Sequence, residues 1–171
     1  MIKRTHIAAL SLSAVALVGI LSSEGFDEEA HVPTENDRCT NGFGGTFNDD
    51  GSPVKCGDKI KPVPALQRSM GHINKDETKL KRCVTGPMYQ AEFDILSDFA
   101  YQYGVVATCN SSMVRFVNEG KYVEACSAYT KYRFSGGYDC STLVNGKPNK
   151  RCWGVWTRNL ERRDKCLEAQ K

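Results

Sequence analysis

The sequence predicts a mixed α+β fold, in which a small β-hairpin lobe and a larger helical lobe are joined by a helix and preceded by an apolar N-terminal helix. Three observations support this prediction. An apolar run opens the chain, short strand-like stretches separated by turn residues follow it, and segments with helical periodicity fill the second half. With 171 residues, the chain has room for one domain of ordinary size plus a short extra segment.

The composition excludes some classes of function. Lys and Arg number 23 against 20 for Asp and Glu, whereas a nucleic-acid-binding domain normally has a marked basic excess, so we expect no nucleic-acid partner. Eight cysteines, an even and high count, predict disulfides in an oxidising compartment. The sequence has no CxxC pair and only His31 and His72 beyond the apolar run, so we expect neither a metal nor a cofactor.

The first 23 residues have the pattern of an export segment. Lys3 and Arg4 precede residues 5–23, THIAALSLSAVALVGILSS, which contain no Asp, Glu, Lys or Arg. This length just reaches what a helix needs to span a bilayer, and the two basic residues would keep the N-terminus on the cytoplasmic side. We expect a retained, weak membrane anchor. The alternative is a cleaved signal peptide, because Ala14–Ala16 matches the small-x-small cleavage pattern.

Short strands are predicted after this segment. Cys39–Phe47 and Val54–Ile60 look like strands joined through the turn cluster Asn48–Pro53. Cys39 and Cys56 would face each other across this hairpin. Before it, Pro33 ends any helix that begins near Glu24, so the acidic residues between them are expected on a solvated helix face; these are Asp27, Glu28 and Glu29.

Helical periodicity dominates the rest of the chain. Pro64–Arg82 has a narrow apolar stripe, which suits a mostly solvated helix connecting two lobes. A start signal at Pro87 and a stop at Gly104 bound the best core helix. Further helices are predicted at Ser111–Glu119, at Tyr122–Lys131 and from a Thr157 cap to near Cys166.

Four disulfides are expected, although spacing alone does not determine their pairing. The pairings we favour are Cys39–Cys56, Cys140–Cys152, Cys109–Cys126 and Cys83–Cys166. The second of them would staple the loop-like run of residues 135–152, which is rich in glycine and turn residues.

The candidate chemistry lies in residues 24–46. Six carboxylates precede a glycine-rich turn there. Ser/His/Asp catalysis would require His31 or His72, and neither lies near a serine elbow. Thiol catalysis is disfavoured because an even set of exported cysteines can all pair. Carboxylate acid/base chemistry therefore remains.

Five motifs, taken in order, resemble the phage-type lysozymes of glycoside hydrolase family 24. They are Glu24-Gly25, the TNGFGGT turn of residues 40–46, Gln90–Gly104, Ser111–Asn118 and Gly154–Arg158. The N-terminus further resembles the signal-anchor-release subgroup, endolysins held inactive in the inner membrane until depolarisation frees them into the periplasm. The resemblance implies a signal-anchor-release segment at 1–23 and a lysozyme-like domain at 24–171, with its β lobe at about 36–61.

The resemblance also implies an activity and its residues. Such enzymes hydrolyse the β-1,4 bond between N-acetylmuramic acid and N-acetylglucosamine of peptidoglycan. Glu24 matches the catalytic Glu of the family and Thr40 matches the catalytic Thr. Gln102 matches a polar residue that contacts sugar. We expect Glu24 to be the proton donor, because it leaves an apolar segment and would be shielded in a cleft between the lobes.

The second carboxylate departs from the family pattern. The usual spacing falls on Pro33 when counted from Glu24, and on Thr34 when counted back from Thr40, and neither is an acid. Asp37 is the candidate replacement and Glu35 is the alternative.

Regulation and partners follow from the same resemblance. With residues 5–23 in the inner membrane, Glu24 would be pinned at the membrane surface, away from Asp37 and Thr40, and the enzyme would be inactive until its release. The expected partner is peptidoglycan, and we expect a monomer. Two alternatives stay open: a non-catalytic, membrane-attached cell-wall-binding protein, and a lytic transglycosylase.

Overall fold

The computed structural model describes residues 3–33 and 37–171. These residues group into two units. Leu12–Lys79 form the first, the hairpin unit, and residues 3–11 together with Leu80–Lys171 form the second, the helical unit. The helical unit therefore combines the first described residues with the C-terminal half of the chain.

The apolar N-terminal run does not form the predicted single helix. Ile7–Ala9 make one turn of 3-10 helix, and helix α1 spans Ala14–Glu24. The break lies where Ser13 caps α1, its hydroxyl accepting a hydrogen bond from the N–H of Ala16 at 3.1 Å. Within the described ranges, no helix is both long and apolar enough to cross a bilayer.

Residues 3–11 pack into the helical unit. Thr5 pairs with Met88 through two backbone hydrogen bonds of 2.8 and 2.9 Å. Ile7 and Leu10, 1% and 7% exposed, lie in a core cluster with Phe93 and the side chains around it. The start of the chain is thus part of a folded core.

In the hairpin unit, strand β1 (Asp27–His31) pairs antiparallel with strand β2 (Thr40–Gly42). We expected Asp27, Glu28 and Glu29 on a solvated helix face. The helix is wrong, because these residues lie on strand β1, but all three are exposed to solvent as expected. Gly25 explains the change: its φ of 74° ends α1 and turns the chain into the strand.

The second predicted strand, Val54–Ile60, forms only isolated pairs. Ala30 of β1 accepts from Gly57 at 2.9 Å and donates to Asp58 at 2.8 Å, and these residues make a tight turn rather than an extended strand. The partner of β2 is therefore β1, which precedes it, and not the segment that follows it.

Helix α2 spans Pro62–Cys83 and confirms the long helix that periodicity predicted. Its first 18 residues belong to the hairpin unit, and its last turn, from Leu80, belongs to the helical unit. Proline at the first helical position fits the start, since its missing N–H would have no partner there.

Five further helices build the helical unit. They are α3 (Gln90–Tyr103), α4 (Val105–Cys109), α5 (Ser112–Asn118), α6 (Tyr122–Ser127, continued by a 3-10 turn to Lys131) and α7 (Trp153–Glu168). Helix α4 was not predicted. Thr157 does not cap α7, which begins one turn earlier, and its hydroxyl instead donates to the carbonyl of Gly154 at 3.2 Å.

Helix α7 packs on α3 through a buried polar network. The Arg162 guanidinium, 3% exposed, donates to Asp98 at 2.6 Å and to Asn159 at 2.8 Å. Asn159 in turn donates to the hydroxyl of Tyr103 and to the carbonyl of Tyr132.

Between α6 and α7 lie two short antiparallel ribbons. They are β3–β4 (Phe134–Ser135 with Tyr138–Asp139) and β5–β6 (Leu143–Val144 with Lys147–Pro148).

All eight cysteines form disulfides. Cys39–Cys56 and Cys140–Cys152 are the pairs that were predicted. The predicted Cys109–Cys126 and Cys83–Cys166 pairings are wrong, because the structure joins Cys83 to Cys109 and Cys126 to Cys166. The unpredicted helix α4 brings Cys109 to the end of α2, and the packing of α6 on α7 brings together the other two.

Candidate active site

Glu24 is the last residue of α1 and points to the glycine-rich turn. Its side chain is half-buried. A methyl group on the α-carbon of Gly44 would lie 3.2 Å from Oε2 of Glu24, and Gly44 has a φ of 72°. The positive φ favours glycine at this position, and a larger residue would require the carboxylate to shift by a few tenths of an ångström.

Thr40 lies on the strand next to the one that Glu24 leads into. It opens β2 and stands opposite His31 of β1, while Asp27 stands opposite Gly42. The register between these two pairs is irregular, which gives the short strand room to curve. Glu24 and Thr40, predicted as parts of one site, thus lie in the same unit, on α1 and β2, with only β1 between them along the chain.

The turn after Thr40 is closed on itself. The N–H of Asn41 donates to the carbonyl of Gly45 at 3.2 Å, and the N–H of Gly45 donates back to the carbonyl of Asn41 at 3.0 Å. The Asn41 side chain is buried and donates to the carbonyl of Asp58 at 3.1 Å. Two backbone bonds and one side-chain bond therefore determine the conformation of the segment that carries Thr40.

The candidate second carboxylate lies in a more open environment. Asp37 is exposed, and its Oδ1 accepts from the N–H of the adjacent Arg38 at 2.8 Å. Its alternative, Glu35, lies outside the described residues. The choice between the two carboxylates remains a prediction.

Gln102 lies near the end of α3, in the helical unit. The residue is half-buried, and within the described part of the chain its buried Oε1 has no hydrogen-bond partner. A buried amide oxygen without a donor is unfavourable. The contact of Gln102 with sugar remains a prediction.

Arg68 and Asn41 were not predicted as part of this region. Arg68, on α2, is only 4% exposed and donates from Nη2 to both oxygens of Asn41, at 2.8 Å to the carbonyl and 2.6 Å to the side chain. An arginine on a polar helix normally suggests a solvated position, and these two residues are 27 apart in sequence. No local pattern signals the contact.

Metal ligands are not grouped in the part of the chain that the structure describes: no three His, Cys, Asp or Glu side chains lie close enough to hold an ion. The predicted site combines the carboxyl groups of Glu24 and Asp37 with the hydroxyl of Thr40. Glu24 is half-buried and Asp37 is exposed, and two carboxyl groups in such different environments can divide the roles of acid and ionised partner that glycosidic cleavage requires.

The chain matches one known protein family over most of its length. Residues 21–150 match the family model described as phage lysozyme. The chain is 27% identical over 144 residues to an endolysin of Bacillus phage B103 and 32% identical over 142 residues to an endolysin of Bacillus phage PZA. These alignments cover 83% and 80% of the chain but only 53% and 52% of the relatives, so the chain spans about half their length.

Solved structures resemble the chain over almost its whole length. An endolysin from Escherichia coli O157:H7 phage FAHEc1 superposes with a TM-score of 0.76 at 26% identity, covering 94% of this chain and 96% of that one. The active form of the P1 phage endolysin Lyz gives a TM-score of 0.69 at 18% identity, covering 96% and 89%. A P22 lysozyme variant gives 0.71 at 20% identity, covering 92% and 99%. Because the identities to the P1 and P22 proteins are only 18% and 20%, these two comparisons show a similar fold and no more.

Proposed function

The chain belongs to the phage lysozyme family, and from that premise we propose that it is an endolysin that hydrolyses the β-1,4 bond between N-acetylmuramic acid and N-acetylglucosamine in peptidoglycan. The observation that carries the proposal is the position of the Glu24 carboxylate, 3.2 Å from where a Gly44 side chain would begin. The two motifs of the family that bear catalytic residues are thereby brought together in one unit.

Each residue has a distinct role in this proposal. Glu24 donates a proton to the leaving glycosidic oxygen. The exposed Asp37 supplies the second carboxylate, which steadies the positive charge that develops on the sugar ring, and the Thr40 hydroxyl orients the attacking water. The closed turn of residues 41–45 fixes the backbone that directly follows Thr40. Asp37 lies three residues before Thr40 in the sequence.

The first prediction concerns Glu24. Glu24→Gln keeps the shape of the side chain but removes the proton donor, so hydrolysis of purified peptidoglycan is expected to fall on the order of 10³-fold. Glu28→Gln is the matched control, because Glu28 is exposed on β1 and the charge change is the same. We expect that variant to keep wild-type activity, with thermal melting confirming that both variants are folded.

The result of this experiment decides between the alternatives. No activity in the wild type would leave the non-catalytic cell-wall-binding protein, whereas equal activity of wild type and Glu24→Gln would contradict the role of Glu24 as proton donor. Fragments with anhydro-muramyl ends, identified by mass, would indicate a lytic transglycosylase. Asp37→Asn and Glu35→Gln, measured in parallel, identify the second carboxylate as the one whose loss reduces hydrolysis.

We further propose that residues 5–23 first insert into the host inner membrane with the N-terminus in the cytoplasm, and that the enzyme becomes active in the periplasm after release. Support comes from α1. It is apolar on all sides, yet Ile20 is its only buried residue, while Val15 and Val18 are 84% and 63% exposed. A helix that is apolar all round normally lies in a protein core or a membrane, so this composition fits a second, lipid environment.

The two environments exclude one another. Ile7 and Leu10 cannot occupy a bilayer and the core of the helical unit at the same time. Lys3 and Arg4 would hold the inserted form in place, because moving one positive charge outward against a potential of 100 mV requires about 2.3 kcal/mol. Depolarisation removes this barrier, which is how release would begin.

The second prediction tests this tether. Inserting four leucines after Val18 lengthens the apolar run, so the protein is expected to remain in the membrane fraction and fail to lyse cells. Inserting four serines at the same point is the control of equal length, and it should reach the soluble periplasmic fraction. Full lysis by a membrane-bound leucine variant would contradict the proposed inactive state.

A further inference from the structure

The guanidinium of Arg68 contacts the turn of residues 40–45, which begins with Thr40. It projects from α2 and is 4% exposed, and its Nη2 bonds both the backbone carbonyl and the side-chain oxygen of Asn41. Asn41 itself is 2% exposed. Because both oxygens are shielded from water, the loss of this donor could not be replaced by solvent without opening the turn.

The glycines of the turn make room for this guanidinium. A methyl group on Gly45 would lie 2.6 Å from Nη2 of Arg68, and one on Gly42 would lie 2.9 Å from the same atom. These distances are shorter than real contacts between such atoms, so the backbone approaches Arg68 only because both residues lack a side chain. The close packing of Arg68 against this turn therefore depends on glycine at positions 42 and 45.

A third glycine of the same turn contacts Glu24. The α-carbon of Gly44, which lies between Gly42 and Gly45, is approached by the Glu24 carboxylate. The turn thus contacts Arg68 through two of its glycines and the proposed acid through the third. Any shift of the turn moves the surface against which the carboxylate rests, and it moves Thr40, which directly precedes Asn41.

We propose that Arg68 is a positioning residue for the reaction: it holds the 40–45 turn in the conformation that places Thr40 and supports Glu24. The inference rests on the proposed muramidase activity. Arg68 acts through Asn41 and the glycines and is not assigned a contact with substrate. Displacing reacting groups by about 1 Å can slow an enzyme on the order of 10²-fold, so its removal should affect turnover rather than binding.

The kinetic test uses two substitutions. Arg68→Met keeps the length of the side chain and removes the donors, and kcat on solubilised peptidoglycan strands is expected to fall on the order of 10²-fold, with KM within about threefold of wild type. Arg68→Lys can donate to one Asn41 oxygen but lacks the planar guanidinium, and it should give an intermediate kcat.

Two controls separate positioning from stability. Arg82→Met removes an exposed arginine from the same helix and should leave kcat unchanged. Val54→Ala opens a buried site in the same unit without touching the turn glycines, so it should lower the melting temperature and preserve kcat. An Arg68→Met enzyme with the kcat of Val54→Ala would overturn the proposal.

Amide hydrogen exchange provides a readout that does not depend on activity. In Arg68→Met the N–H of Gly45, bonded to Asn41, is expected to exchange at least about tenfold faster, while the N–H of Ile60, bonded to Glu28 elsewhere in the unit, keeps its wild-type rate. Should Arg68→Met fail to fold, Arg68→Lys decides: wild-type kcat together with wild-type Gly45 exchange would overturn the proposal. An inactive wild type would refute the muramidase activity, and unchanged Gly45 exchange would separately refute the role of Arg68.

Discussion

Arg4 shows how one residue ties the start of the chain to the helical unit. Its Nε and Nη2 donate to the two carboxylate oxygens of Glu92 at 3.1 and 2.9 Å, and the guanidinium lies 4.2 and 3.5 Å from the ring centres of Tyr89 and Tyr122. Burial acts to lower the pKa of Arg4, but the hydrogen bonds and charge of Glu92 outweigh it and raise that pKa above its ordinary value. The contact with Glu92 therefore favours the charged form of Arg4.

Removing this arginine is expected to destabilise the fold. Glu92 is 3% exposed, and a buried carboxylate that loses its cation is strongly unfavourable, so Arg4→Gln should lower the free energy of unfolding by about 3 kcal/mol. Urea denaturation measures the change. Lys3→Gln is the control, because it removes the same charge from an exposed neighbour. Equal free energies of unfolding in the two variants would show that the Arg4–Glu92 ion pair does not stabilise the fold.

Single residues of the candidate site differ in how far the sequence predicts them. Glu24 and Thr40 belong to short motifs whose order along the chain is specific, so the sequence alone is enough to predict them as site residues. Arg68 could not be found in this way, because its contact with Asn41 depends on how α2 packs on the turn. Asp37 stays a prediction, since the family spacing fails there and its rival Glu35 is not described.

At the scale of elements, length and periodicity decided what could be predicted. Helices α2 and α3 are long and periodic, and their bounds lie within a few residues of those expected. Strand β1 has the sequence DEEAH, which has no apolar alternation, and forms because the chain turns at Gly25 and pairs with β2. The five-residue α4 is too short to show a period, and missing it led to the wrong partner for Cys83.

Helix α1 provides a prediction at this scale. Val15 and Val18 are mostly exposed, and serine has nearly the helix propensity of valine. The double variant Val15→Ser, Val18→Ser should therefore keep the stability of the folded domain within about 0.5 kcal/mol. If the helix also serves as a membrane anchor, the same change should reduce the fraction of freshly made protein that sediments with membranes.

The matched control places the same change elsewhere. Val63 and Val106 are 65% and 72% exposed on other helices, and replacing both by serine removes equal apolar area outside the anchor. Membrane retention of that variant should equal wild type. A similar loss of retention in both double variants would indicate general surface adhesion instead of an anchor.

For the whole molecule, the position of residues 3–11 is the feature that the sequence predicts least. An apolar run behind two basic residues has the composition of a membrane segment. Its hydrophobic periodicity does not indicate whether some of its residues are also buried in the core of the folded protein. In the structure, residues 3–11 contribute a backbone pair and two buried side chains to a unit whose remaining sequence begins at Leu80. Such long-range packing follows from the assembled helices and leaves no local signal.

The last prediction tests whether this segment is required by the folded enzyme. Ile7 is 1% exposed, and Ile7→Ala should lower the free energy of unfolding by about 3 kcal/mol, through lost burial and the cavity left behind. Ala8→Ser, at the exposed neighbouring position, should change it by less than about 0.5 kcal/mol. Urea denaturation of the released protein measures both. An Ile7→Ala protein as stable as wild type would mean that residues 3–11 are dispensable to the core, and that an anchored chain could fold fully while its N-terminus stayed in the membrane.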